Sequence, residues 1–454
     1  MPQGEVVTRF PPSPTGLLHI GGARTALFNW LFARHYGGKI LFRFEDTDRA
    51  RSKSAYEENS REGLAWLGLD FDNAHDAPWR QSERTAVYRS YLERLIASGS
   101  AYLSRERAKD DPGREVELVR LRLSGKSITF HDEIRGDITF ETAELGDLVI
   151  ARNIDDPIYH LAVVIDDFEM GVTHVIRGED HISNTARQIL IQEAIGVPRP
   201  LYAHIPLILA PDRSKLSKRH GATALTDYRD QGFLPAALVN YLALLGWSPG
   251  DDREVFTLTE LVRRFDLSRV QKSGAIFNRE KLDWLNREHL KTLSDERFLT
   301  AVSEFLPERE RALFKAHQDI VRALVPLLRE RLVIFSDVRA LAERGELLYF
   351  FEDPTLRDAS KLCSKETSAA DTKRHLAHAV SLLEDVQKHD FSSESIKAAL
   401  WDYATAEGRG SVLWPIRYAL SGKEKSPDPF TIATIIGKEA TLRRLRGATE
   451  VLGQ

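Results

Sequence analysis

The first fifty residues constrain this chain more tightly than any other stretch. Val6-Val7-Thr8-Arg9-Phe10 is a β-branched run that ends at Pro11-Pro12-Ser13-Pro14-Thr15-Gly16, which can continue neither a strand nor a helix. After Gly21-Gly22 the apolar residues Ala23, Leu27, Trp30 and Leu31, flanked by Phe28 and Phe32, recur at helical spacing until Gly37-Gly38 stops them. Lys39-Ile40-Leu41-Phe42-Arg43-Phe44 then reads as a second strand, ending at Glu45-Asp46-Thr47-Asp48. Strand, loop, helix and strand in this order make a βαβ unit, whose parallel strands carry ligands at their carboxyl ends. Those ends hold Arg9, Ser13 and Glu45.

With 454 residues the chain is long enough for roughly three domains of ~150 residues. Helical patterning runs from Tyr56 to about Ser98, with Leu64, Trp66, Leu67, Tyr88, Tyr91, Leu92 and Leu95 as its apolar positions. Between about 100 and 155 it gives way to short alternating stretches (Ile128-Thr129-Phe130, Asp137-Ile138-Thr139-Phe140, Leu148-Val149-Ile150-Ala151) that read as antiparallel strands of an insertion. The α/β pattern resumes with Tyr159 to Ile165, Val172 to Ile176, a helix from about Ser183 to Ile195 and the apolar run Ile205 to Leu209. Beyond Thr226 the chain is almost wholly helical, and Thr257 with Glu260 supplies a plausible cap for one helix. Asp353 to Thr372 reads as a linker or a helix junction.

Composition removes several classes. Lys plus Arg at 63 against Asp plus Glu at 67 gives a net charge of −4, so the chain does not hold nucleic acid by overall charge, although a local basic face is left open. A single cysteine, Cys363, allows no internal disulfide and no cysteine-rich zinc site, and suits a reducing compartment. Residues 1–10 lack the apolar core of a secretory signal, so a cytoplasmic location is expected. Phe233 to Trp247, interrupted by Asn240, falls short of the ~20 residues of a membrane span and reads as a buried helix. Trp247, Trp284, Trp401 and Trp414 are read as core anchors.

Two constellations carry chemistry. Pro12 to Gly22, including His19-Ile20-Gly21-Gly22, lies between a strand and a helix start, where glycines admit a ligand to the backbone and unpaired N–H groups face a phosphate. Asp212-Arg213-Ser214-Lys215-Leu216-Ser217-Lys218-Arg219-His220-Gly221 is a polar loop whose two lysines could neutralise a triphosphate as pyrophosphate leaves. Taken alone, the first is a helix-capping turn with a surface histidine and the second a solvated loop; the pairing of the two points to nucleotide chemistry.

Together these segments resemble the two signature motifs of class I aminoacyl-tRNA synthetases, and more closely the bacterial glutamyl-tRNA synthetase family. Thr8 to Gly16, Phe42 to Arg51, Tyr159-His160-Leu161-Ala162, Gly171 to His181, Gly232 to Pro235, Phe277 to Trp284 and Trp414 to Gly422 carry the resemblance over nearly the whole chain. It implies an α/β fold: a Rossmann-type class I catalytic domain with an inserted α+β module, followed by helical stem-contact and all-α anticodon-binding domains. The expected divisions are catalytic halves 1–98 and 157–230, an acceptor-binding module 99–156, a stem-contact domain 231–322 and an anticodon-binding domain 323–454.

The family's glutamate subsite falls on Arg9, Ser13, Glu45, Tyr159 and Arg177, a set whose guanidinium groups suit a substrate with two carboxylates and whose Glu45 suits an α-ammonium. Its ATP site falls on His19, Gly21, Gly22, Glu179, Lys215 and Lys218, with His19, Lys215 and Lys218 the residues expected to act on the transition state. The implied reaction activates glutamate with ATP, magnesium (Mg2+) bridging the phosphates, and passes the glutamyl group to the 3'-terminal ribose of tRNA(Glu). A monomer with no membrane association is expected. A truncated relative that modifies a tRNA base, a non-charging paralogue and a generic nucleotidyltransferase are the alternatives; the helical segment 320–454 and the intact signature residues speak against them.

Two departures from the family pattern stand out. An asparagine directly after the tyrosine, or four residues on, is replaced here by His160 and Val163, so one side contact to glutamate is expected to be lost or taken over by His160. Where many relatives carry a zinc-binding cysteine cluster, this chain reads Ala101-Tyr102-Leu103-Ser104-Arg105, and no zinc is expected. From Trp401 to Gln454 eight Lys/Arg stand against six Asp/Glu, and Arg443-Arg444-Leu445-Arg446 reads equally as a phosphate contact or a solvated helix face.

Overall fold

The computed structural model describes residues 4–74, 79–107, 113–143, 146–216, 224–356, 358–364 and 367–453, so Ser217 to Gly221 of the lysine loop, Lys218 among them, lie outside the described residues. The chain divides into two compact units, Met1–His289 and Leu290–Gln454.

In the first unit β1 (Val7–Phe10) is buried throughout. It pairs in parallel with β2 (Lys39–Phe44), Val7 opposite Lys39 and Phe10 opposite Phe42, after the crossover helix α1 (Ile20–His35). Gly38 permits that return: a Cβ there would lie 2.1 Å from the Val6 carbonyl oxygen. The patterned stretch from Tyr56 to Ser98 is two helices rather than one continuous helical run. Between α2 (Ser54–Trp66) and α3 (Thr85–Ala97), β3 (Trp79–Arg80) extends the parallel sheet at the carboxyl end of β2.

The next segment holds six strands, β4 (Ala101–Arg107), β5 (Glu115–Leu121), β6 (Ile128–Asp132), β7 (Gly136–Phe140), β8 (Leu148–Asn153) and β9 (Asp156–Pro157). β4, β5, β8 and β9 form an antiparallel sheet, whereas the β6–β7 hairpin leaves it for another. After α4 (Tyr159–Glu169) come β10 (His174–Gly178), α5 (Ile182–Ile195) and β11 (Leu201–Ile205); β10 and β11 are parallel, and β6 adds to β11 in parallel with Asp132 opposite Tyr202. One core fuses these parts, since Leu92 of α3, Val119 of β5, Leu161 of α4 and Ile189 of α5 belong to the same buried cluster.

The two sheets meet at β1 and β10: the Thr173 amide donates to the Val7 carbonyl at 2.9 Å, and the Val7 amide donates to Thr173 Oγ1 at 2.8 Å. From β1 the chain moves outward to β2, and from β10 it moves the other way to β11. The carboxyl ends of β1 and β10 therefore flank a topological switch point, where an open α/β sheet leaves a crevice for ligands.

The apolar run Ile205 to Leu209 is not one strand. Pro206, which lacks an N–H, ends β11, and β12 (Ile208–Leu209) pairs instead with β13 (Ala275–Ile276). Helices α6 (Leu225–Asp230), α7 (Pro235–Leu244), α8 (Leu258–Arg264) and α9 (Arg279–Thr292) follow. Asn240, the polar break in the apolar run, is buried and satisfied, accepting from the Phe256 amide at 2.8 Å and donating to the Glu254 carbonyl at 2.9 Å. Thr257 and Glu260 cap α8 reciprocally, as the spacing predicts. Trp247 is buried but Trp284 is 40% exposed, so the latter is not a core anchor. No helix among the described residues is long and apolar enough to cross a membrane.

The second unit is helical: α10 (Asp295–Phe305), α11 (Glu308–Ala316), α12 (Gln318–Arg331), α13 (Asp337–Glu343), α14 (Ala369–Glu384), α15 (Ser393–Glu407), α16 (Arg409–Ser421) and α17 (Pro429–Val451). The stretch after Asp353 is a helix junction within this unit. Arg443 and Arg444 both grip the Asp353 carboxylate, at 2.8 and 2.9 Å, and Ser368 caps α14. In the arginine cluster of α17, Arg443 and Arg446 keep the exposed face that one sequence reading expects, whereas Arg444 does not. Arg444 is buried and donates to the carbonyls of Tyr349, Leu420 and Glu352, and Arg446 pairs with Glu384.

Candidate active site

A cavity of about 650 Å³ opens at the carboxyl ends of β1 and β10. Arg9, Ser13, Glu45, Tyr159 and Arg177 line it, and so do His19, Gly21, Gly22 and Lys215. The structure thus brings together nine of the expected residues, which come from two segments more than a hundred residues apart in sequence. Glu179 is not among the lining residues: its Oε1 accepts from the Leu207 amide at 2.7 Å, and its Oε2 accepts from the Arg135 guanidinium. Its neighbour Asp180 lines the cavity instead, 3.5 Å from Lys215 Nζ.

The floor is a buried ionic cluster. Asp167 of α4 accepts from Arg9 Nε at 3.2 Å and from Arg43 Nη1 at 2.5 Å, and Arg43 Nη2 reaches Glu45 at 2.9 Å. Burial raises the Asp167 carboxyl, but the Arg43 and Arg9 cations outweigh it and leave the pKa below its ordinary value. Burial dominates at Glu45, whose pKa stays raised despite Arg43. Arg177 has no carboxylate of its own: Nε donates to His204 Nε2 at 3.2 Å, Nη2 to Thr185 Oγ1 at 2.7 Å, and the buried Nη1 has no partner. Three guanidinium cations (Arg9, Arg43, Arg177) against two carboxylates (Glu45, Asp167) leave one formal positive charge at the bottom of the site. A buried, unspent Nη1 marks where an anion is wanted, because an unmet charged donor is costly.

At the nucleotide end His19 is the N-cap of α1, its Nδ1 accepting from the Gly22 amide at 3.2 Å. That acceptance places the ring proton on Nε2, and burial with Lys215 nearby lowers the pKa, so the imidazole is a neutral donor. A Cβ at Gly21 would sit 2.9 Å from the His19 ring, so the glycine keeps that ring in place. The first turn of α1 adds unpaired backbone N–H groups facing a region where anionic phosphates gain.

Of the two outcomes expected around Tyr159, loss of a side contact or its takeover by His160, the cavity lining does not support the second. Neither His160 nor Val163 lines the cavity; His181 does, and its Nδ1 lies 3.3 Å from the Tyr159 hydroxyl. Burial beside Glu45 pushes the Tyr159 hydroxyl up to about 12, and burial with Arg177 pushes His181 down to about 4, so both are neutral near pH 7. Arg24 is a lining residue that sequence reasoning missed. From α1 it donates to the carbonyls of Leu245 and Pro206, fastening the entrance of the lysine loop, and burial lowers its pKa to about 10. The available signal was a cation next to the apolar positions Ala23, Ala26 and Leu27; Arg43 between Phe42 and Phe44 and Asp167 after the apolar run Leu161–Ile165 carried the same signal.

Comparison with known proteins places the chain in a family. Residues 5–115 and 104–284 match the family described as tRNA synthetases class I (E and Q), catalytic domain, and residues 288–449 match an anticodon binding domain. The glutamate–tRNA ligase of Thermodesulfovibrio yellowstonii is 42% identical over 97% of this chain and 98% of its own length. That of Geobacter sulfurreducens is 42% identical over 99% of this chain and 100% of its own. The chain belongs to the glutamate–tRNA ligase family. A crystal structure of a glutamate tRNA ligase from Elizabethkingia meningosepticum, in complex with its amino acid, superposes with a TM-score of 0.85 at 32% identity, covering 99% of this chain and 100% of that one. The glutamate–tRNA synthetase of Elizabethkingia anophelis gives 0.82, also at 32% identity, over 98% and 100% of the two chains.

Proposed function

We propose that this chain is a glutamate–tRNA ligase that forms glutamyl-adenylate from glutamate and ATP and then charges tRNA(Glu). The observation that carries the reading is the floor of the cavity, whose single surplus positive charge and unpartnered Arg177 Nη1 complement an amino acid with two carboxylates and one ammonium. Arg9 and Arg177 receive the side-chain carboxylate, Glu45 holds the α-ammonium, and Ser13 and Tyr159 close the sides. The α-carboxylate is left facing the nucleotide end. One of its oxygens attacks the α-phosphorus, the bond to the β-phosphate oxygen breaks, and pyrophosphate leaves with the electron pair.

Nothing in this step needs an enzyme nucleophile, so positioning and charge carry it. His19 donates to phosphate oxygen, the first turn of α1 at Gly21-Gly22 offers backbone donors, and Lys215 with Lys218 neutralises the charge that builds as pyrophosphate departs. Glu179 acts from behind, holding Leu207 and Arg135. Mg2+ would enter with the ATP phosphates and help to neutralise their charge, and no protein step is assigned to it. Zinc has no assigned role. In the second half-reaction the terminal ribose hydroxyl of the tRNA attacks the glutamyl carbonyl carbon, and AMP leaves.

The division that goes with this reading is catalytic halves 1–98 and 157–230, an acceptor-binding module 99–156, a stem-contact domain 231–322 and an anticodon-binding domain 323–454, working as a cytoplasmic monomer. The test is aminoacylation with labelled glutamate on two transcripts, a glutamate tRNA and a glutamine tRNA. Charging of the glutamate transcript is the expected outcome, and charging of the glutamine transcript as well would widen the substrate range. Charging of neither by a folded protein overturns the assignment.

A further inference from the structure

Behind Arg177 lies a buried relay that the reaction itself does not use. Arg177 on β10 stands opposite His204 on β11, and Asp132 closes the next strand, β6. Asp132 Oδ2 is 2.6 Å from His204 Nδ1 and also accepts the His204 amide at 3.1 Å; its Oδ1 accepts the amides of Ile134 and Arg135 at 3.0 and 2.9 Å. His204 and Asp132 are fully buried and neither lines the cavity.

The donor and acceptor roles along this line are forced. A guanidinium nitrogen only donates, so His204 Nε2 must accept from Arg177 Nε and the ring proton must sit on Nδ1, where only an acceptor can meet it. The Asp132 carboxylate is that acceptor. Burial holds His204 neutral against the pull of Asp132, and hydrogen bonds to His204 and to backbone amides keep Asp132 ionised despite its burial. With Nε fixed by His204 and Nη2 by Thr185, Arg177, which lines the cavity, is left with one orientation and with its buried Nη1 unpartnered.

We propose that Asp132 and His204 are positioning residues for glutamate binding: Asp132 selects the His204 tautomer, and that tautomer aims Arg177. Asp132 belongs to the β6–β7 hairpin of the inserted segment, so this hairpin completes the amino-acid site from behind as well as extending the sheet. The inference rests on the reading of Arg177 as a contact to the glutamate carboxylate.

Asp132→Asn tests it, because the change puts a donor at the Oδ2 position without changing volume, while the His204 amide keeps Oδ1, 3.4 Å away, as an acceptor. The Asn oxygen keeps the Ile134 and Arg135 amides, which turns its NH2 toward His204 Nδ1. The ring proton then moves to Nε2, and two donors, Nε2–H and Arg177 Nε–H, confront each other. KM for glutamate should rise by about tenfold or more, as for other outer partners that fix a histidine tautomer, while KM for ATP and for tRNA stays within twofold. Arg177→Lys is measured beside it. If Arg177→Lys leaves KM for glutamate unchanged, the reading of Arg177 itself fails; if Arg177→Lys raises it and Asp132→Asn does not, the relay alone is overturned. Long-range 1H–15N spectra of the 15N-histidine-labelled wild-type protein decide the matter independently, with His204 assigned by its loss in His204→Gln. An Nδ1–H tautomer is expected, and an Nε2–H or doubly protonated ring refutes the proposal.

Discussion

Asp167→Asn is the sharpest probe of the cavity floor. The wild-type carboxylate serves Arg9 through Nε at 3.2 Å and Arg43 through Nη1 at 2.5 Å, all three groups being buried. An asparagine that keeps its oxygen at the Oδ1 position still accepts from both guanidiniums, but it carries no charge, and its NH2 faces Arg9 Nε from the Oδ2 position, 3.4 Å away. The local charge changes from three cations against two carboxylates to three against one. Removing one partner of a buried pair costs about 3–5 kcal/mol, because the remaining charge is stranded. At about 2–4 °C per kcal/mol for a unit of this size, the first unfolding transition should fall by roughly 10 °C. The same loss frees Arg9 to swing, so KM for glutamate should rise. Glutamate at a hundred times its Kd should return about 2.7 kcal/mol, since the ligand restores an anion beside the stranded cations. The assay is thermal unfolding with and without glutamate, paired with steady-state charging. A midpoint within 2 °C of wild type together with an unchanged KM would refute the ionic floor as the organiser of the site.

Three further outcomes are expected. Lys215→Ala should leave unfolding unchanged, because the side chain is exposed and its single ion pair to Asp180 is long, yet slow adenylate formation by about 10²-fold in single-turnover measurements. In the second unit Arg444→Met should destabilise by about 3–5 kcal/mol in urea titrations, because it leaves three carbonyls without their buried donor while Asp353 keeps only Arg443, whereas Arg446→Ala, an exposed pair, should cost under about 1 kcal/mol. His174 is buried and held at about 4, below its unfolded value near 6.5, so the unfolded chain takes up the proton first as pH falls. Stability therefore drops between pH 6.5 and 4, by about 2 kcal/mol at pH 5 from this group, and His174→Gln should remove that part of the slope in denaturation measured at pH 7 and 5.

Local rules made much of this protein legible. The β-branched run ending in prolines, the glycines at 21–22 and 37–38, and the second strand place Arg9, Ser13 and Glu45 at strand ends from the sequence alone, because strand, turn and cap preferences depend on residues a few positions apart. The reciprocal cap of Thr257 and Glu260 is of the same kind. Partners across the fold were not legible. The carboxylate that organises Arg9 lies 158 residues away, and the one behind Arg177 comes from a hairpin that joins a sheet its neighbours do not. Arg444 looked like a surface cation because helical spacing does not show which face a neighbouring segment covers.

Sequence by itself therefore determined the βαβ frame, the chemistry-bearing residue types and the helical character of the last third. Only the tertiary structure decided that His181 rather than His160 lines the cavity beside Tyr159, that Asp180 rather than Glu179 faces the cavity, and that Asp167 and the Asp132–His204 pair orient the arginines. The physical reason is range: backbone preferences act within a turn or two of the chain, while a buried charge finds its partner through space, wherever packing brings one close enough to offset its lost hydration.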